Sequence, residues 1–137
     1  MSVRFTHQHD SMVELADEIL SVARDAPPNA TERLTRARLR LSREVGEHCR
    51  VELADLNARR PDIRDAHGQA MVRRYHDDLL RWRHDLIACN SNWPPARVLN
   101  EPRAFAGEFS GIAERLRERV RWEEEEFYPA ILYARTA

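Results

Sequence analysis

Proline placement limits the fold of this chain more than any other feature. Pro27-Pro28, Pro61 and Pro94-Pro95 divide it into four intervals. A proline lacks the amide hydrogen and collides with the carbonyl four residues earlier, so a helix does not run through these points. Each interval carries apolar residues at helical spacing. The first covers about residues 6–24, with His9, Met12, Val13, Ala16, Ile19 and Leu20 on one side. The second, opened by a capping box between Asn29 and Glu32, runs to about residue 59. Its stripe is Leu34, Ala37, Leu41, Val45, His48, Glu52 and Leu56. The third covers about residues 62–89, with Val72, Tyr75, His76, Leu79, Leu80, Leu86 and Ile87 inward. After a loop over residues 90–100, the fourth places Phe105, Phe109, Ile112, Leu116, Val120, Glu123 and Phe127 inward. Four glycines in 137 residues, and no alternating β-branched run, disfavour sheet. The pattern predicts an all-α, antiparallel up-down-up-down four-helix bundle, one domain over residues 1–137.

Charge and cysteine usage remove several functions. A formal net charge of −1 gives no pull toward nucleic acid or membrane. Every one of the 22 basic residues is arginine, which favours planar, bidentate pairing with carboxylates. Arg33, Arg36, Arg40 and Arg43 form a stripe at helical spacing without interleaved aromatics, read as a solvated or ion-paired face. Cys49 and Cys89 are isolated and signal neither a zinc cluster nor a redox pair. The N-terminal MSVRFTHQHD lacks an apolar signal core, and no 18-residue apolar run exists. A soluble, cytoplasmic protein is expected. No nucleophile triad or phosphate-binding glycine loop points to an enzyme. Ala104, Ala106, Gly107 and Gly111 thin the start of the fourth helix, as close helix packing would require.

The residues that break the apolar faces carry the functional signal. They are His9, His48, Glu52, His76 and Glu123. Up-down-up-down topology brings the starts of helices one and three and the ends of helices two and four to the same end of the bundle. These imidazole and carboxylate groups then converge at one level. His48 and Glu52 stand at i and i+4 and share a stripe. Such mixed sets suit iron, manganese or zinc. A single inward histidine is more often a hydrogen-bonded core residue; convergence is what favours a metal. His7, His67 and His84 fall off the stripes and are assigned to the surface.

One histidine on helix one, His48-Cys49-Arg50-Val51-Glu52 on helix two, Tyr75-His76-Asp77-Asp78-Leu79 on helix three, and the ending Glu123-Glu124-Glu125-Glu126-Phe127-Tyr128-Pro129 together resemble the hemerythrin-like (HHE cation-binding) family. The resemblance covers nearly the whole chain. It implies a four-helix bundle with a non-haem di-iron centre used for oxygen binding, oxygen or redox sensing, or iron handling. The ligands it implies here are His9, His48, Glu52, His76 and Glu123.

The sequence also departs from that family. Its helix-four histidine falls at Arg119, and a guanidinium cannot ligate a metal. The second helix-three histidine falls at Val72, so reversible oxygen carriage is not expected. Two outcomes stay open. Arg119 turns outward and one ion, or a weakened pair, occupies the remaining ligands. Alternatively, Arg119 turns inward and pairs with Glu123 and Glu52, its charge replacing the metal. The second outcome describes a metal-free interaction or regulatory module with a protein partner.

Overall fold

The computed structural model describes residues 3–133. Among these every regular element is helical: α1 (Val3–Asp25), α2 (Ala30–Arg59), α3 (Ala66–Asn92), α4 (Pro95–Asn100) and α5 (Pro102–Trp122). A short 3₁₀ turn, Arg60–Asp62, follows α2, and α5 widens without a break into a π-helix, Glu123–Leu132. The breaks lie where the prolines stand. Two details differ from expectation. Asn29 makes no side-chain cap, and Glu32 pairs with Arg36 one turn on (2.9 Å). The expected loop over 90–100 holds the last turn of α3 and all of α4, whose proline sits at the helix start, where a missing amide hydrogen costs nothing.

Cross-helix contacts fix the direction of each neighbour. Ser11 donates to Glu44 (2.6 Å) and Arg33 meets Glu18 (3.5 Å), so α1 and α2 run antiparallel. Tyr75 donates to Glu52 (2.5 Å) while Arg38 donates to the carbonyl of Trp93 (2.8 Å), so α2 and α3 do too. Trp82 donates to the carbonyl of Ile112 (3.0 Å), and Arg119 to that of Tyr75 (3.3 Å), setting α3 against α5. Arg117 pairs with Asp17 between α5 and α1. These directions are compatible with an up-down bundle. No described helix is long and apolar enough to cross a membrane.

The core follows the expected stripes on α1, α2 and α5, including Ile19, Leu41, Leu56, Phe105 and Phe109, all nearly inaccessible. Helix α3 departs. Its buried residues are Gly68, Val72, Tyr75, Leu79, Trp82, Leu86 and Cys89, a strict alternation of four and three. Leu80 and Ile87, expected inside, are 67% and 62% exposed. Each lies one residue, about 100° of helix, beyond a buried position. Trp82 fixes the rotation by reaching across to α5. Gly107 and Gly111 do not mark a close approach, since a methyl group at either would meet nothing within 4 Å. Of the arginine stripe on α2, Arg33, Arg36 and Arg40 are ion-paired to Glu18, Glu32 and Glu44. Both cysteines are buried and free.

Candidate metal centre

Four of the five expected ligands meet. His9, His48, Glu52 and Glu123 are buried, and one donor atom from each lies within 4.8 Å of every other. His9 comes from the first turns of α1, His48 and Glu52 from one stripe of α2, and Glu123 from the start of the π-helix. His9 Nε2 stands 2.9 Å from Glu123 Oε2 and 3.1 Å from His48 Nε2. His48 Nε2 stands 3.0 Å from Glu52 Oε2 and 3.8 Å from Glu123 Oε2.

The outer nitrogens explain why both rings face inward. His9 Nδ1 lies 2.9 Å from Glu124 Oε2, and a carboxylate only accepts, so Nδ1 carries the hydrogen. His48 Nδ1 lies 2.6 Å from Gln8 Oε1 and donates in the same way. Each imidazole therefore commits its Nδ1–H to an outer oxygen and turns Nε2 to the centre. Metal-bound histidines are oriented by this kind of outer partner. Glu124, half-buried, is one of the two partners.

Two tyrosines complete the cluster: Tyr75, expected inward but not as a site residue, and Tyr128, which sequence reasoning missed. Tyr75 donates to Glu52 Oε1 (2.5 Å). The Tyr128 hydroxyl sits among Glu52 Oε2, Glu123 Oε2 (2.8 Å) and His9 Nε2 (3.0 Å). Burial, and next the adjoining carboxylate charge, push both phenols far above their usual range, so both stay neutral donors. Tyr128 reaches Glu123 because of the widened helix. In an α-helix residues five apart diverge by about 140°. The π turn, sealed by the Tyr133 amide to the Tyr128 carbonyl (2.8 Å), closes much of that gap. Pro129, which cannot donate to an α-helical ladder, is the available sequence signal for it.

His76, the fifth expected ligand, is not in the cluster. It follows Tyr75, which takes the inward position, and the next residue points about 100° away. His76 is half-buried, with Nε2 2.8 Å from an Arg60 nitrogen. Burial and the Arg60 charge lower its pKa, so it stands as a neutral acceptor.

Arg119 points inward. Its Nε lies 2.9 Å from Glu123 Oε1, Nη2 donates to the Tyr75 carbonyl, and the guanidinium sits 4.9 Å over the Tyr75 ring. It pairs with Glu123, as one outcome required. Glu52 accepts instead from the two tyrosines and faces His48. Burial alone would push Glu123 toward its neutral form; contacts with His48 and His9 and the charge of Arg119 outweigh it and hold the carboxyl far below the carboxylate range. His48 is likewise buried, which opposes its charging, but Glu123 and Glu52 push it up to about 9.

The donor set suits a transition-metal ion. A metal bound at about 2.1 Å to nitrogen and oxygen holds its ligands roughly 3.0–3.4 Å apart along the edges of an octahedron or tetrahedron. Three ligand-to-ligand contacts, at 2.9, 3.0 and 3.1 Å, fall close to that range; His48 to Glu123 is wider at 3.8 Å, and all four donors lie within 4.8 Å of one another. Two imidazoles and two carboxylates could therefore hold a metal ion. Comparison with protein-family models, curated proteins and solved structures gives no match for this chain, so its function is argued from this geometry.

Proposed function

We propose that this chain is a hemerythrin-like metal-binding bundle that holds one transition-metal ion, iron in the first instance. His9, His48, Glu52 and Glu123 are its ligands, and its role is sensing, storage or redox rather than reversible oxygen carriage. The observation that carries the proposal is the paired orientation of the histidines: both Nδ1–H groups are spent on Glu124 and Gln8, and both Nε2 atoms face two buried carboxylates. Such a centre demands positive charge, from a metal or from protons. One ion fits better than two, because Arg119 holds one oxygen of Glu123 and His76 stands elsewhere. When bound, the ion would supply Lewis acidity or one-electron redox chemistry. The protein's residues hold it, shield it from bulk water and fix the imidazole tautomers.

The test is elemental analysis of untagged protein expressed with iron, together with its ultraviolet-visible spectrum. About one ion per chain, lost in His48→Ala, supports the proposal. Two irons per chain with oxo-bridge absorption would replace it with a di-iron centre. One observation favours a second reading. The buried Arg119–Glu123 pair, at 2.9 Å, already neutralises one carboxylate, as in a metal-free interaction module. Protein that stays free of metal after reconstitution selects that reading.

A further inference from the structure

Arg119 has two neighbourhoods. Inward, it walls a small cavity of about 20 Å³ beside the histidines and Glu123. Outward, it lines a groove of about 200 Å³ between α3 and α5. Trp82 belongs to both walls, so this pair separates the groove from the cluster. The groove also holds Arg74, Arg81 and Arg115, against only two carboxylates, Asp78 and Glu118. Two of these arginines are held in place, Arg74 by other residues of the lining and Arg115 from outside it. Arg74 lies over the Trp122 ring at 4.5 Å, with Asp78 at 3.6 Å, and Arg115 is fixed by Asp85 at 2.6 Å. Anchored guanidinium forks lose less freedom when an anion arrives, and they match oxyanions bidentately.

Arg119 adds an independent sign of a missing partner. Its side chain is 9% exposed, Nε and Nη2 are engaged, and Nη1 is buried without a hydrogen-bond partner. A buried charged donor left unsatisfied is costly. The position that best serves Glu123 is thus not the one that best serves the guanidinium. The nearest arginine-rich space large enough for an acceptor is the groove.

We propose that the groove between α3 and α5 binds a small oxyanion, a phosphate or carboxylate group, and that this ligand draws Arg119 away from Glu123 and so opens the metal centre. The groove part stands by itself; the coupling rests on the metal reading above. Coupling is reciprocal, so anion and metal each raise the affinity for the other. Arg119 then acts as a positioning residue that reports anion occupancy to Glu123.

The probe is sulfate, with chloride at matched ionic strength as control. Tryptophan fluorescence and calorimetry on the metal-free chain should show saturable sulfate binding, weakened at least fivefold by R81Q and by R115Q, both exposed. Phosphate and malonate, titrated separately without metal, name the preferred head group; tighter binding of either supports the site. Cobalt(II) should bind at least fivefold more tightly in sulfate than in chloride, and R119Q should abolish that difference. Absence of saturable sulfate binding, or binding unchanged in both groove variants, overturns the groove. Sulfate binding with unchanged cobalt affinity overturns the coupling. A chain that binds no cobalt in either medium overturns the metal centre and the coupling together, while the fluorescence titration still decides the groove.

Discussion

Tyr128 and Arg119 hold the centre closed, each in a different way. The Tyr128 hydroxyl meets both carboxylates and His9, so it spans three of the four ligands. Tyr128→Phe keeps the ring packed on Phe5 but removes one buried hydrogen-bond donor shared among the carboxylates, which keep Tyr75, Arg119 and the histidines. It should lower the stability of metal-free protein by about 1–3 kcal/mol, read from urea unfolding, and the loss should shrink once cobalt(II) replaces the hydroxyl's role. Arg119 neutralises Glu123 from the other side. Arg119→His should destabilise the metal-free fold by about 3 kcal/mol, the typical effect of breaking a buried ion pair. The same variant should bind metal more tightly, because an imidazole can ligate where a guanidinium cannot. Thermal melts with and without metal separate these effects; a variant whose melt is unaffected in both states would show that Arg119 carries no structural charge. Position 119 was legible in the sequence as the decisive residue, because four-residue spacing to Glu123 survives in any helical register near an α-helix. Tyr128 was not, because its approach depends on the π turn, and α-helical counting assigns Phe127 alone to that face.

Helix by helix, what could be read depended on how strict the apolar spacing was. Segments α1, α2 and α5 carry stripes that leave little rotational choice, and the structure buries them apart from Val13 and Val120, which are half-buried at the edge of the core. On α3 two overlapping stripes exist, one through Trp82 and Cys89, the other through Leu80 and Ile87. Aromatic reach decides between them: Trp82 spans to α5, and that rotation moves His76 off the inner face. Glycine and alanine positions give a separate test of the helices. Ala26, just past α1, has φ of 45°, a left-handed conformation that suits glycine. Gly107 and Gly111 sit exposed on α5 with open space around them. Ala26→Gly, Gly107→Ala and Gly111→Ala should therefore each stabilise the fold by about 0.5–1 kcal/mol. Opposite chemical changes are expected to act in the same direction, and chemical denaturation of the three variants checks it. Destabilisation by Gly111→Ala would mean that α5 is approached by something at that face.

For the molecule as a whole, the cluster links folding, protons and metal through one group. His48 is raised from 6.5 to about 9 by Glu123 and Glu52, against the opposing effect of burial. A group with a raised folded-state pKa binds its proton more tightly in the native chain. Its stabilising contribution is complete below pH 6.5 and disappears as pH climbs through about 9. A shift of this size corresponds to roughly 3 kcal/mol. Glu123 acts in the other direction. Its depressed pKa contributes above its ordinary value of 4.5 and is lost as pH falls below it. Metal-free protein should thus be most stable between pH 4.5 and 6.5 and weaken steadily from 6.5 to 9. Metal reverses the upper half of this profile, since a ligating imidazole must give up its proton. Over the same interval cobalt(II) affinity should rise about tenfold per pH unit, one proton leaving for each ion bound, and level off near pH 9, where His48 is already neutral. Urea unfolding of the metal-free chain and calorimetric cobalt titration, each at four or five pH values, should therefore give curves of opposite slope. Parallel curves would mean that His48 is not the residue exchanged between proton and metal, and His9 would become the group to replace.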